Sequence, residues 1–174
     1  MSITPDWRET SISRDHDRAA FDCGVESLNV YLLRYACQNH DAGGSKTFVA
    51  ASAENPKRVL GYYSISPGEI RFQSVPDLVT RGLGQYNVPV FRLGRLAVDR
   101  RMHGQGIGSG LLAVAAERAL RVREEVGGVA LAIDAIDASA ADWYEFHGAL
   151  PLADDPLKLV LPLNTLARAE QLGR

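Results

Sequence analysis

From Gly104 to Gly110 every second residue is glycine, in the run Asp99-Arg-Arg-Met-His-Gly-Gln-Gly-Ile-Gly-Ser-Gly110. Each glycine costs the folded chain conformational entropy, so glycines this dense point to a backbone that turns sharply or must come close to something. The apolar run VPVFRLGRLAVD precedes them and a helical pattern follows. A loop from a strand end into a helix start exposes unpaired amides and the positive end of the helix dipole, which suits a phosphate. Two nucleotide loops do not fit: no lysine lies in the loop, as a P-loop requires, and the spacing Gly104-Gln-Gly106-Ile-Gly108 misses the dinucleotide fingerprint. A turn that merely permits tight packing stays open. Metal chemistry has little to build on. The four histidines show no His-x-x-x-His pairing, and Cys23 and Cys37 are too few for a disulfide framework or a thiolate zinc site.

The elements around the loop read as mixed α+β. Trp7 to Ile12 gives a weak first strand, and Asp15 to Phe21 a short helical turn. From Val25 to about Asn39, Leu28, Tyr31, Leu32, Tyr35 and Ala36 fall on one helical face. TFVAAS and RVLGYYSIS form a hairpin across AENPK, with Pro67 and Gly68 stopping the second strand. The stretch Ile70 to Val88 is irregular with one helical turn. VPVFRLGRLAVD is a strand in which Gly94 suggests a bulge or a close approach. After the loop comes a helix from Ile107 to about Glu124, then GVALAIDAI, apolar enough to be buried on both faces. A short helix ends at Gly148, LKLVLPL is the last strand, and the tail from Asn164 to Arg174 is helical.

With 174 residues, 46% of them hydrophobic and 23% charged, the chain reads as one globular domain over 1–174. Nineteen basic residues against 21 acidic give a net charge of -2, so contact with nucleic acid needs a local patch. No run of 18 apolar residues and no signal-peptide core occurs, so the expected place is the cytoplasm and no membrane contact is expected.

Arg101-Met-His-Gly104-Gln-Gly106 matches Arg/Gln-x-x-Gly-x-Gly/Ala, the pyrophosphate loop of the GNAT acyltransferases, with a strand before it and a helix after it. FDCGVESLNVYL, VLGYYSIS, FRLGRLAVDRRMHGQGIGSGLL and AIDAIDASAADWYEFHGALPL extend the likeness over nearly the whole chain. In that order the chain resembles the GNAT toxins of bacterial type II toxin–antitoxin pairs. The resemblance implies the GNAT fold, a mixed and mostly antiparallel central sheet flanked by helices, with two central strands splayed apart. It implies acetyl-CoA as co-substrate, with no metal.

By the same resemblance, the backbone of Leu96, Ala97 and Val98 pairs with the pantetheine arm. The amides of Met102, His103, Gly104, Gln105, Gly106, Ile107, Gly108 and Ser109 cradle the pyrophosphate, and Arg101 adds charge there or is simply solvated. Tyr144, in the family's (F/W)YE helix, protonates the leaving thiolate. Asp137 caps that helix rather than touching the cofactor, and Trp143 packs in the core, with a place against the cofactor as the alternative. The toxins acetylate aminoacyl-tRNA, which makes Arg34, Lys46, Arg92, Arg95 and Arg100 candidates for its phosphates, with solvated ion pairs as the alternative. A small ribbon–helix–helix antitoxin and a homodimer are the partners implied. A GNAT enzyme acting on a small amine or a protein N-terminus is the competing function.

Overall fold

A computed structural model describes residues 6–166. One sheet of seven strands carries the fold, in the order β1-β2-β3-β4-β5-β7-β6. The strands are β1 Trp7–Ser11, β2 Lys46–Ser52, β3 Val59–Ile70, β4 Val88–Val98, β5 Ala130–Asp134, β6 Leu150–Leu152 and β7 Asp155–Pro162. Helices α1 Glu26–Val30, α2 Ala36–Ala42, α3 Asp77–Thr80, α4 Ile107–Val126 and α5 Ala138–Phe146 flank it. The pairing of β4 with β5 is parallel, and the pairs β1·β2, β2·β3, β5·β7 and β6·β7 are antiparallel. No helix among the described residues is long and apolar enough to cross a membrane.

The chain falls into two compact units, Met1–Ser66 with Arg95–Ala115, and Pro67–Gly94 with Ala116–Arg174. The core of the first packs Leu32, Ala36, Val49, Val59 and Tyr62 against Phe21 and Tyr31. The core of the second packs Val88, Val90, Ala130, Ala132 and Val160 against Val75 and Val79. As its apolar run requires, β5 is buried from Ala130 through Ile133.

Four elements differ from the sequence expectation, each for a physical reason. The helix after Val25 contains a π-segment, Tyr31–Tyr35, in which the Ala36 amide donates to the Tyr31 carbonyl five residues back. The extra residue shifts the helical phase. Ala36 and Cys37 become buried, whereas Tyr35, expected on the inner face, is 51% exposed. Asp15 to Phe21 is not a helical turn, because its backbone is spent elsewhere: the Asp17 amide donates to the Lys57 carbonyl at 2.7 Å.

Pro67 and Gly68 do not stop β3, which continues to Ile70. Pairing with β2 ends at Ile65, so on that side Pro67 sits at an edge where a missing N–H costs no ladder bond. Gly68 continues the strand beside Arg92 and Val90 of β4, and a Cβ there would meet them at an ordinary contact of 3.5 to 3.8 Å. The sequence reading also passed over β6. Three residues are too short to show a period, and Pro151 is tolerated because β6 is the last strand of the sheet. Of the tail helix, residues 163–166 are helical and the rest lies outside the described residues.

Candidate active site

β4 pairs with β5 over three positions, Phe91↔Leu131, Arg92↔Ala132 and Leu93↔Ile133, and no further. It runs on without a break through Gly94 to Val98, so Arg95–Val98 lie beyond that ladder. Ala97 is buried, and Leu96 and Val98 are half-buried. The Val98 carbonyl already accepts a hydrogen bond from Nε2 of His103 at 2.8 Å, which folds the loop back on the strand end.

Asp99 fixes the start of the loop. Its side chain is 1% exposed and caps the short 3-10 turn Arg100–Met102 by accepting from the Arg101 amide at 3.0 Å. The same carboxylate accepts from Nε and Nη2 of Arg101, each at 3.0 Å, and from the Asp22 amide at 3.2 Å. Burial works to raise the Asp99 pKa, but the Arg101 guanidinium and these two amides hold it below the usual carboxylate range. Arg101 is thereby committed: its fork lies on Asp99 and touches the Ala20 carbonyl at 3.3 Å.

The glycines divide by role. Gly104 and Gly106 have φ of +78° and +81°, the left-handed region that favours glycine, and an added Cβ at either would meet nothing. Their need is handedness. Gly110, inside α4, has another reason: a Cβ there would come within 2.7 Å of Cζ2 of Trp7. The Gly110 amide bonds the Gly106 carbonyl at 3.0 Å and closes the first turn of α4. By helix geometry the amides just before it have no partner within the helix, and they are the donors that an anion would meet. Ile107 is 1% exposed and anchors that turn in the core. Gln105 and Gly108 are half-buried, and His103 and Ser109 are exposed. Met102, half-buried, takes Nη2 of Arg58 at 3.7 Å from its sulfur.

On α5, Asp137 is the N-cap, its Oδ1 accepting from the Ala140 amide at 2.8 Å, as its position before ASAADWYEF suggests. Tyr144 is buried two turns later, 7% exposed, and burial pushes its phenol up to about 12. No hydrogen bond among the described residues takes up its hydroxyl. Trp143 is half-buried rather than a core residue. Its ring lies edge-on to Tyr144, centroids 5.0 Å apart, and against His147 at 4.3 Å.

The basic candidates are mostly engaged. Arg92 pairs with Asp134 at 3.1 Å and Arg100 with Asp22 at 2.7 Å. Lys46 donates to the His40 carbonyl at 2.8 Å, and Arg34 stands exposed on the π-segment. Arg95 lies over the ring of Tyr31. Sequence reasoning did not foresee that stack or the anchoring role of Asp99. The signal for Asp99 was its place, an acidic residue closing an apolar strand directly before a loop that needs a cap.

Residues 11–149 match the acetyltransferase (GNAT) family. A tRNA-acetylating toxin of Mycobacterium tuberculosis is 35% identical over 150 residues, 86% of this chain and 88% of that protein. Among solved structures, AtaT complexed with acetyl-methionyl-tRNAfMet superposes with a TM-score of 0.88 at 26% identity, covering 94% of this chain and 99% of that one. A Tyr-to-Phe mutant of AtaT bound to the C-terminus of the antitoxin AtaR and acetyl-CoA gives 0.78 at 27% identity, covering 92% and 95%. With its family matched across most of its length, this chain belongs to the GNAT acetyltransferases.

Proposed function

We propose that this acetyltransferase transfers the acetyl group of acetyl-CoA to the α-amino group of an aminoacyl-tRNA and so blocks translation. The observation that carries the proposal is the likeness to a tRNA-acetylating toxin across most of both chains. The loop suits the donor: two left-handed glycines with open space above them turn backbone rather than side chain toward the position of a pyrophosphate. The amides from Gly104 to Ser109 hold that group, with Arg101 beside them; those of Met102 and His103, also expected there, are spent on the Asp99 and Arg100 carbonyls at 2.8 and 3.4 Å. The pantetheine arm pairs with the backbone of Leu96 to Val98, chiefly with Leu96 and Ala97, since the Val98 carbonyl is engaged by His103.

Acetyl-CoA supplies an acetyl group activated as a thioester. Tyr144 stays protonated at any cellular pH, because burial holds its phenol at about 12. It gives that proton to the sulfur as the C–S bond breaks and the amine nitrogen bonds the acetyl carbon. The proton shed by the nitrogen returns to the phenol through solvent, which balances the step. No base is needed at the amine, since an aminoacyl ester titrates below the roughly 7.7–8.0 of a free chain terminus.

The reading carries further assignments. The chain works as one catalytic domain in the cytoplasm, where charged tRNA is. It forms a homodimer, and its partner is a small ribbon–helix–helix antitoxin. Labelled acetyl-CoA, incubated with the pure protein and total charged tRNA, is expected to mark the aminoacyl ester. Label appearing on polyamines or a peptide N-terminus and never on charged tRNA would overturn the tRNA reading and favour the small-amine one.

A further inference from the structure

The arginines of β4 and the turn after it do not share one fate. Arg92, Arg100 and Arg101 each lie on a carboxylate, at 3.1, 2.7 and 3.0 Å. Arg95 has no carboxylate partner among the described residues; its guanidinium carbon lies 3.6 Å from the centre of the Tyr31 ring. A ring face attracts the cation and fixes its plane but takes none of its N–H groups in plane, so the fork stays available.

The shelf beneath it is rigid. Tyr31 is 5% exposed, its hydroxyl is bonded to Ser45 at 2.9 Å and receives the Asn39 amide at 3.3 Å, and its ring stacks near Tyr62 with centroids 6.4 Å apart. Tyr31 also opens the π-segment, a local irregularity that recurs at functional sites. Arg95 itself is half-buried and directly precedes Leu96, the first backbone position assigned to the acyl donor.

We infer that Arg95, held flat by Tyr31, is the residue that grips a phosphate at the 3′ end of the acceptor tRNA. A planar fork with free donors matches phosphate oxygens in pairs, and the single-stranded end of a charged tRNA brings phosphates along with its aminoacyl ester. The paired arginines contribute less because each must first leave a carboxylate. The inference rests on charged tRNA being the acceptor, and it is tested without turnover.

The probe is an uncharged RNA minihelix with a single-stranded CCA end, its binding followed by fluorescence anisotropy over a range of salt. Arg95→Gln is expected to weaken binding at least tenfold and to lower the slope of log K against log salt by about 0.7, one contact to a single strand. Arg95→Lys should keep the slope and lose several-fold in affinity, because the charge remains and the plane does not. Tyr31→Leu should follow Arg95→Gln in direction. Arg92→Gln and Arg100→Gln should cost less than Arg95→Gln, and Arg14→Gln, which removes an exposed arginine paired with Asp41, should cost nothing. Acetyl-CoA affinity, measured in parallel, should hold throughout. The inference is overturned if Arg95→Gln stays within threefold of wild type, if affinity falls with the salt slope unmoved, or if Arg92→Gln costs as much. Should Arg95→Gln not fold, an Arg95→Lys protein with wild-type affinity overturns it equally. A wild-type protein that binds the minihelix through Arg95 yet never acetylates charged tRNA would sink the proposed function and leave this inference standing.

Discussion

Taking one oxygen from Tyr144 separates its packing from the proton donation proposed for it. Tyr144→Phe keeps the buried ring and its edge contact with Trp143, so melting temperature and acetyl-CoA affinity should hold. The proton donor disappears, and a positioned acid is typically worth about 10²–10⁴-fold. The fall in kcat should lie toward the lower end, since a thiol of pKa about 8.5 leaves tolerably without help. KM should change little, because the donor matters as the bond breaks and much less in the ground state. Acetyl transfer to charged tRNA measures it, and activity within threefold of wild type would strip Tyr144 of the role. The pH profile adds a second check. A phenol raised to about 12 keeps its proton through the range where the amine deprotonates, so activity should rise with the amine and show no falling limb from Tyr144 below about pH 10. At this scale the sequence was legible at Asp137, which caps α5 as expected, and at Gly104 and Gly106, whose backbone is left-handed. It was silent on who neutralises whom. That Arg101 turns back onto the buried Asp99 while Arg95 turns onto Tyr31 depends on burial and on a helix far away in sequence.

The strand–loop–helix unit makes separable demands of its glycines. At Gly106 any side chain must adopt φ of +81°, which costs an L-residue roughly 1–2 kcal/mol and tilts the loop amides. Gly106→Val should therefore weaken acetyl-CoA binding at least tenfold, about 1.4 kcal/mol, as read by calorimetry on folded protein. At Gly110 the obstacle is Trp7, so Gly110→Val should lower the melting temperature while the folded fraction binds acetyl-CoA normally. If both variants lose affinity alike, or neither does, the division of labour is wrong. Elements with a long helical stripe, such as α4, or an unbroken apolar run, such as β5, could be read directly from the sequence. The failures share one cause. A π-segment, a three-residue edge strand and a proline inside β3 each follow from which neighbour a strand or helix has on one side, and that information is not local.

With a net charge of -2, the molecule as a whole gives polyanions no general attraction, so any hold on RNA must be local. Three of its arginine pairs lie within the stretch from Arg92 to Arg101, where the sequence alone suggested a basic patch. The chain also carries one residue more, ahead of α2, than a regular α-helix would hold. Deleting a residue from a helix ordinarily rotates everything beyond it by about 100° and turns the inner face outward. Here the Ala36 amide already reaches back five residues to Tyr31, so removal of Arg34 would make that reach four and restore an unbroken α-helix with Ala36 and Cys37 still facing inward. A shortening that would wreck most helices should be harmless to this one. Thermal melts of the Arg34 deletion should match wild type or exceed it, and a loss of more than about 2 kcal/mol, beyond the middle of the usual range for single changes, would show that the added residue is structural ballast rather than a local insertion.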